Sequence, residues 1–408
     1  MRSLGFGRCH PAGAAFLVLC VATAAGAQTP PTADDLFDDG VLHEIRLTMN
    51  PRDWESLKAN FQLNDYYPAH FTWNGLTART IGIRSRGLGS RSGTKPGLRI
   101  DFDYYTKNQT FVGLTSVVLR NNTQDASSLH ERISMRLFAR MGVPASRTAH
   151  TRLFVNDQYV GLYLIVESVD KRFLLRHFKE SDGHLYKFEW SSEYFFEYKG
   201  SDPAGYSPKP FQPETHEKDP DPKPLVDMIA AINQSRDTDF VTAMAPLVDL
   251  RAFVTQAAIE NFLADYDGLL GYAGMNNFYL YRLQPSRLST FIPWDKSEAF
   301  KSGVTHSIWS NIFDVPEWRR NRLMDRAMND PDFRNRYLDT LVACARIAST
   351  DSWLEQEIRR AYAQIRQAAL DDPLKPFSNE DFEQEVQTML EFARARPAFV
   401  LEDVRRSR

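Results

Sequence analysis

The spacing of apolar residues changes once along this 408-residue chain, at a stretch that can continue neither a helix nor a central strand. Residues 201–224, SDPAGYSPKPFQPETHEKDPDPKP, contain seven prolines, which lack a backbone N–H and fix φ. Before this stretch, residues 41–200 alternate as strands do, and after it residues 225–408 mostly repeat as helices do. We therefore predict an α+β protein with a β-rich N-lobe, a proline-rich junction loop and a mainly helical C-lobe.

The N-terminus has the features of a secretory leader. Arg2 and Arg8 precede an apolar run that ends in small residues before Gln28, which predicts a signal peptide over 1–27, cut near Ala27. Residues 28–40 then form a polar linker. The apolar run is too short for a stable membrane span. We expect the mature protein to be secreted, or to lie in the periplasm or cell envelope.

Cysteine content and charge exclude several classes. Cys9 and Cys20 belong to the leader, so the mature chain keeps only Cys344 and forms no intrachain disulfide. Stability must then come from the core, for which 43% hydrophobic residues suffice. A net charge of -3 with no basic run favours neither nucleic acid nor an anionic membrane as a partner. We expect a monomer.

Turn residues predict two hairpins in the N-lobe. Asn74-Gly75 separates two alternating runs, and both positions accept positive φ. Asn156-Asp157 marks the tip of a second hairpin. Its second strand, QYVGLYLIVES, is almost continuously apolar, which favours burial on both faces.

Helix starts are also readable from the sequence. Ser128 with Glu131 matches a capping box for a helix that ends before Gly142. Asp170 is the expected N-cap of the helix KRFLLRHF. In the C-lobe, helical patterns are interrupted by one strand pair, NNFYLYRL and LSTFIPWD, which we expect to be an inserted hairpin.

Motifs spread along the chain resemble one family. YVGLYLIVESVDKRFL, HLYKFEW, NNFYLYRL and FIPWDKSEAF, in this order, are similar to the CotH (spore coat protein H) family of atypical secreted protein kinases. The resemblance implies a kinase-like fold that uses ATP with Mg²⁺ or Mn²⁺. It further implies transfer of the γ-phosphate to serine or threonine of an envelope or secreted protein.

The stretch LADYDGLLGYAGMNNFYLY has the order of a kinase catalytic loop: an aspartate, a short loop, asparagine and a strand. The resemblance implies that Asp267 is the catalytic aspartate and that Asn276 or Asn277 offers an amide oxygen to the metal. Without the resemblance, the same residues are typical of a solvated helix end followed by a turn.

Asp295 ends the second strand of the inserted hairpin, where kinases carry a metal-binding aspartate. Trp294 is expected to anchor the strand end while Asp295 faces the cleft. The alternative is that Asp295 only caps the following segment. Many relatives carry an acid two positions further on, whereas this chain has Ser297, a poorer metal ligand, and then Glu298.

Four residues are candidates for nucleotide binding. RSRGLGSRSGTKPGLRIDF resembles the family's phosphate-binding segment and supplies Lys95 and Arg99, although alone it reads as a basic hairpin turn. Glu167 ends a strand too apolar to be at the surface, and it resembles the glutamate that partners a phosphate-binding lysine. Lys187 is a further candidate cation, with a snorkelling strand lysine as the alternative.

Other chemistries have little support in the sequence. It contains no Gly-x-Ser-x-Gly elbow, and Cys344 lies in a helical run where a buried, inert thiol is expected. The nine histidines form no His-x-x-x-His pair, which argues against a zinc site. Two alternatives to a kinase stay open: a weak pseudokinase that binds an envelope protein or glycan, and a purely structural envelope protein.

Overall fold

The computed structural model describes residues 30–408, together with positions 1, 4, 5 and 7. The signal peptide predicted over 1–27, including its cleavage near Ala27, therefore lies almost wholly outside the described residues. Residues Thr32–Arg408 pack as one unit. The division into lobes near residue 200 stays a prediction.

Seven strands from the first half of the chain close into a barrel in the order β1-β2-β3-β4-β5-β7-β6. The pairing of β1 with β6 is parallel, and the other neighbours pair antiparallel. The barrel strands are β1 (His43–Met49), β2 (Tyr67–Trp73), β3 (Leu76–Ser85), β4 (Leu98–Asp101), β5 (Ser116–Arg120), β6 (Thr148–Val155) and β7 (Gln158–Glu167).

A second, antiparallel sheet has the order β11-β10-β8-β9. Its strands are β8 (His184–Phe188), β9 (Phe211–Pro213), β10 (Phe278–Arg282) and β11 (Ser289–Pro293). The strand β9 comes from the proline-rich stretch and lies at the edge of the sheet, where proline is tolerated. The hairpin β10-β11 is the one predicted from the sequence.

Helices dominate the second half of the chain, and four more lie among the strands of the first half. The helices of the described residues are α1 (Ala33–Leu36), α2 (Pro51–Ala59), α3 (His130–Arg140), α4 (Lys171–Phe178), α5 (Lys223–Gln234), α6 (Phe240–Met244), α7 (Leu250–Phe262), α8 (Arg322–Met328), α9 (Pro331–Ser349), α10 (Trp353–Leu370) and α11 (Asn379–Ser407). The predicted α+β class is confirmed. Over the part of the chain that the structure describes, none of these helices is long and apolar enough to cross a membrane.

Both predicted hairpin turns are confirmed. Asn74 and Gly75 have φ of 48° and 75°, and Asn156 and Asp157 have φ of 49° and 63°. Two consecutive positive φ angles match the right-handed twist of the strands they join. These turns set the registers of β2 with β3 and of β6 with β7.

The strand β7 is buried on both faces, as its sequence predicts. Tyr163 and Ile165 belong to the cluster that fills the barrel. Leu164 and Val166 belong to a different cluster, which contains Trp294 from the end of β11 and other residues of the second sheet. This apolar layer joins the barrel to the second sheet, and it brings the end of β11 beside the barrel strand β5.

The predicted capping box at the start of α3 is wrong. Ser128 has φ of 59°, and the N-cap position falls on Leu129, which makes no side-chain capping bond. The carboxylate of Asp125 instead accepts from the backbone N–H of Ser128 at 3.0 Å and of His130 at 2.7 Å. Glu131 is thereby free of a capping role. At α4 the prediction is confirmed, because Asp170 accepts hydrogen bonds from the first turn.

The helix α7 is the centre of the helical half. Almost all of its side chains are buried, and it packs against α9 and β11. Cys344 on α9 is fully buried, and burial raises the pKa of its thiol, so the expectation of an inert thiol is supported. Because α7 is buried on nearly every face, the residues that begin the following loop are fixed in position.

Candidate active site

The loop between α7 and β10 holds Asp267 against two asparagines. Asp267 Oδ2 accepts from Asn276 Nδ2 and from Asn277 Nδ2, both at 2.9 Å. Asn277 Nδ2 also donates to the backbone carbonyl of Asp267 at 2.9 Å. The structure therefore brings together the three loop residues singled out from the sequence. Their arrangement is an ordered loop with a half-buried carboxylate rather than a freely solvated turn.

The electrostatic surroundings of Asp267 suit proton transfer. Burial raises the pKa of Asp267 to about 7, and the carboxylates of Asp265 and Asp295 add to this rise. The hydrogen bond from Asn276 acts in the opposite direction. A carboxylate whose pKa lies near neutral pH can accept a proton at that pH.

Asp295 lies directly after β11, at a residue with φ of 47°. Its Oδ2 accepts from Arg120 Nη1, and its Oδ1 accepts from Ser297 Oγ at 2.9 Å. Burial acts to raise the pKa of Asp295, but the positive charges of Arg120 and Arg86 outweigh it and hold that pKa below its usual value. Residues 297–302 form turns, so Asp295 caps no helix.

Trp294 anchors the strand end, as expected. Its side chain is 4% exposed, and its ring meets that of Tyr279 edge-on at 5.4 Å. Its backbone N–H donates to the carbonyl of Asn277 at 3.0 Å. This last bond ties the Asp295 segment to the Asp267 loop, so the two candidate aspartates belong to one site.

Arg120 connects Asp295 to helix α3. Arg120 ends β5, is 6% exposed, and makes ion pairs with both Asp295 and Glu131. Burial raises the pKa of Glu131 to about 7, against the lowering effect of Arg120. A cation on a barrel strand is thus held by a glutamate on helix α3, a pairing similar to the lysine–glutamate pair of protein kinases.

Arg86 supplies a cation without an ion-pair partner among the described residues. Its guanidinium forms no hydrogen bond within that part of the chain, and Asp295 and Glu131 act on it only through their charge. It lies 5.8 Å from the centre of the Trp294 ring. Burial and the neighbouring charge of Arg120 lower the pKa of Arg86 to about 10. It lines a cavity together with Ser90, Asn121, Glu131, Ser297 and others. An anion bound in this cavity would relieve the repulsion between the two arginines.

Lys187 and Arg99, two of the cations predicted from the sequence, lie in different surroundings. Lys187 lies on β8 opposite Tyr279, 3.4 Å from Glu189, and burial together with the charge of Arg86 lowers the pKa of its ammonium group. Lys187 is therefore close to Arg86. The guanidinium of Arg99 donates to the carboxylate of Asp101 at 2.9 Å.

The structure does not bring Lys95 and Glu167 together. Lys95 is 2% exposed, and its Nζ lies 2.6 Å from Asp372 Oδ2 and 3.0 Å from the carbonyl of Leu162. Glu167 accepts from Arg147 at 2.7 Å and also from Arg176. Both charges are already neutralised at other places in the fold. Their phosphate-aligning role stays a prediction, whereas Arg120 and Glu131 do form a buried ion pair.

Lys296, next to Asp295, holds the loop that contains Asp267 in position. Its ammonium group is fully buried, 2.8 Å from Glu260 Oε1 and 2.8 Å from Asp265 Oδ2. Glu260 in turn accepts from the N–H of Leu269 at 2.7 Å, and Asp265 accepts from the N–H of Asp267 at 3.1 Å. One buried cation therefore positions the backbone on both sides of the Asp267-Gly268 pair.

The sequence reasoning missed the residues Arg86, Arg120, Glu131, Glu260 and Lys296. A signal existed for Arg120, because a charge that ends the apolar strand SVVLR needs a partner when buried. Glu131 was assigned to a capping box. Nothing in the local pattern marks Lys296, because its partners lie 31 and 36 residues away.

The donor set at this site suits a hard divalent cation. Over the described residues, no group of three or more His, Cys, Asp or Glu side chains forms a metal cluster. Mg²⁺ does not require one, because it is commonly bound by one or two carboxylates together with water and substrate phosphates. Asp295, with the amide oxygens of Asn276 and Asn277, fits that description.

Fold and site together define an α+β protein in which two carboxylates, two amides and two arginines lie on neighbouring segments, the set of groups that phosphoryl transfer needs. Residues 83–400 match the family model described as CotH kinase protein. The chain belongs to this family, which confirms the resemblance seen in the motifs. It is also 27% identical over 362 residues to the inner spore coat protein H of Bacillus subtilis (strain 168), covering 87% of this chain and 95% of that protein.

Proposed function

We propose that this protein is an atypical kinase that transfers the γ-phosphate of ATP to serine or threonine of another protein. The observation that carries the proposal is that Asp267, held by two asparagines, is tied to the Asp295 segment, and that Asp295 pairs with Arg120, which lines a cavity with Arg86. Family membership supports the same reading. The barrel with α3 would act as the N-lobe, and the helical half with the β10-β11 hairpin as the C-lobe.

Each residue has a role that follows from its chemistry. Asp267 orients the acceptor hydroxyl and takes its proton. Asp295, with Asn276 or Asn277, would hold Mg²⁺ or Mn²⁺, which when bound neutralises charge on the phosphates. Arg86 and Lys187 contact phosphate oxygens, and Arg120 is kept in position by Glu131.

We further propose that the substrate protein is secreted or lies in the cell envelope. The predicted leader directs the chain out of the cytoplasm. The similarity to the inner spore coat protein H of Bacillus subtilis supports an association with the cell envelope.

The direct test is incubation of residues 28–408 with γ-labelled ATP and Mg²⁺ or Mn²⁺, beside Asp267→Asn and Asp295→Asn variants. We expect label on the protein or an added acceptor, and its loss by at least about 100-fold in both variants. Asp65→Asn is the control, because Asp65 is exposed and far from the loop in sequence. Label that persists in the Asp267 and Asp295 variants would rule out these assignments.

A second candidate function is a pseudokinase that binds an envelope protein or glycan without phosphoryl transfer. The observation that favours it is the ion pair between Arg120 and Asp295, in a chain that has Ser297 where many relatives have an acid. Calorimetry with ATP and Mn²⁺ distinguishes the two, because only the kinase requires metal-dependent nucleotide binding. A Ser297→Asp variant should strengthen metal binding if the site is catalytic.

A further inference from the structure

The carboxylate of Asp295 is held by one hydrogen-bond donor on each oxygen. Ser297 Oγ donates to Oδ1 at 2.9 Å, and Arg120 Nη1 donates to Oδ2. Each carboxylate oxygen offers two lone pairs, so both oxygens keep one for a cation. The side chain of Asp295 is 19% exposed, and Ser297 lines the cavity beside Arg86, so a small cation can reach this carboxylate.

The backbone of Ser297 is fixed by His130, the first residue of α3. His130 Nδ1 lies 2.9 Å from the carbonyl oxygen of Ser297, and His130 Nε2 lies 3.1 Å from Glu385 Oε1 on α11. A carbonyl and a carboxylate can only accept, so both ring nitrogens donate and the ring is an imidazolium. Burial acts to lower the pKa of this imidazole, but the charge of Asp125 and the hydrogen bonds to its two partners outweigh burial and raise that pKa.

His130 has little freedom to move. It is 1% exposed, and its backbone N–H donates to Asp125 Oδ2 at 2.7 Å. The centre of its ring lies 5.4 Å from that of Phe300, whose ring meets that of Phe392 on α11 edge-on at 5.0 Å. A continuous chain of contacts therefore runs from α11 through His130 and Ser297 to Asp295.

We propose that Ser297 and His130 are positioning residues that orient the Asp295 carboxylate for a divalent cation, with Glu385 anchoring them to α11. Ser297, His130 and Glu385 are called the positioning relay below. The inference rests on the proposed function, in which Asp295 holds Mg²⁺ or Mn²⁺. Hydrogen-bond partners behind a metal ligand orient that ligand and strengthen metal binding, typically by about 10- to 100-fold.

The positioning relay also explains how serine can serve at position 297. A carboxylate there would add a metal ligand, but without the metal it would repel Asp295 at close range. The Ser297 hydroxyl instead stabilises Asp295 as a hydrogen-bond donor. This chain therefore has an orienting group where many relatives carry an acid.

The first test compares ATP binding in Mn²⁺ with ATP binding in EDTA, by calorimetry on residues 28–408. Ser297→Ala should weaken binding of ATP with Mn²⁺ by about 10- to 100-fold and leave metal-free binding unchanged. A general loss of folding would lower both affinities. The matched control is Ser349→Ala at the end of α9, where the hydroxyl donates to the carbonyl of Ala345. It should leave both affinities unaltered.

Two substitutions of His130 separate positioning from packing. Asparagine and glutamine amides both donate through nitrogen. By side-chain length, the amide nitrogen of asparagine lies near the position of Nδ1, and that of glutamine lies near Nε2. His130→Asn therefore keeps the donor to Ser297 and His130→Gln loses it, while both lose the ring and its charge. We expect His130→Gln to bind ATP with Mn²⁺ more weakly than His130→Asn, and residues 296–304 to exchange amide hydrogens faster in metal-free His130→Gln.

The positioning relay is overturned if Ser297→Ala binds ATP with Mn²⁺ as tightly as the parent chain does. It is also overturned if the two His130 variants show equal affinities and equal exchange rates. Failure of the proposed function gives a different result, because the parent chain itself would then gain no ATP affinity from Mn²⁺. Thermal unfolding of each variant confirms that the compared proteins are folded.

Discussion

At the scale of single residues, the candidate active site is distinguished by charges held inside the fold. Arg120 and Lys296 are each less than 10% exposed, and each bridges two carboxylates. Arg86 differs from both because its guanidinium forms no ion pair with a carboxylate in the described chain. Ion-paired charges position the site, whereas a guanidinium without an ion pair is available to a substrate.

Arg86→Gln should weaken binding of ATP with its metal by about 10- to 150-fold, because a hydrogen bond to a charged group contributes about 1.5–3 kcal/mol. Stability should change little, since the arginine has no partner to lose. Isothermal titration calorimetry measures the affinity, with Arg79→Gln on the exposed face of β3 as the control. Equal ATP affinity in the Arg86 variant and the parent chain would contradict the role given to Arg86.

Lys296→Met should lower the free energy of unfolding by about 3–5 kcal/mol, because Glu260 and Asp265 would keep their buried charges without a counter-ion. Lys301→Met is the matched control. Its ammonium pairs with Glu298 nearer the surface, so the loss should stay within about 1 kcal/mol. Urea denaturation followed by circular dichroism compares the two. A loss for Lys296→Met no larger than that of the control would show that the lysine does not hold the loop.

At the scale of elements, local sequence predicted where strands, turns and most helices lie. The turns at Asn74-Gly75 and Asn156-Asp157, the N-cap Asp170 and the doubly buried β7 depend on neighbours in sequence or on one strand's own pattern. The start of α3 shows where prediction from local sequence fails. Ser128 and Glu131 have the spacing of a capping box, but Asp125 supplies the hydrogen bonds and Glu131 is drawn to Arg120 on β5.

Replacing Asp125 by Ala should destabilise the protein by about 1–2 kcal/mol, the usual range for a lost helix cap. Ser128→Ala should change stability by less than about 0.5 kcal/mol, because its hydroxyl makes no capping bond. Thermal and urea unfolding of the two variants test this ranking. A larger loss of stability for Ser128→Ala than for Asp125→Ala would support the predicted capping box instead.

At the scale of the whole molecule, Lys95 links the barrel to the C-terminal helices. Its ion pair with Asp372, in the connection between α10 and α11, spans 277 residues of sequence. The same carboxylate accepts from the N–H of Leu162 on β7 at 2.9 Å. The resemblance predicts that Lys95 binds phosphate, whereas its surroundings favour a role in holding distant parts of the chain together.

A double-mutant cycle separates these roles. Lys95→Met and Asp372→Asn should each lower the free energy of unfolding by about 3 kcal/mol or more, and the double variant by less than their sum, because both partners are then neutral. ATP affinity of folded Lys95→Met protein should stay within about twofold of the parent. Loss of ATP binding with unchanged stability would instead support the phosphate-binding role.

Stability should also depend on pH through His150. Burial, with the nearby charge of Arg132, lowers the pKa of His150 to about 3, below the usual 6.5. The unfolded chain therefore binds a proton that the folded chain does not, so stability falls as pH drops from about 6.5, by up to about 1.4 kcal/mol per pH unit.

Glu131 acts in the opposite direction between its usual pKa of 4.5 and about 7, so the comparison must be made between variants. The pH slope of the unfolding free energy should be smaller in His150→Gln than in the parent chain. Urea titrations at pH 7, 6 and 5 measure both slopes. Identical slopes would show that His150 is not the group that titrates.

The sequence by itself determined the α+β class, the two hairpin turns, most helix and strand positions and the family, because these depend on patterns between near neighbours. It also identified Asp267, Asn276, Asn277 and Asp295 as one candidate group. Only the tertiary structure decided which charges meet them. Arg120 and Asp295 are 175 residues apart, and a buried charge is stabilised by whichever opposite charge the fold brings within reach, not by the one that local spacing suggests.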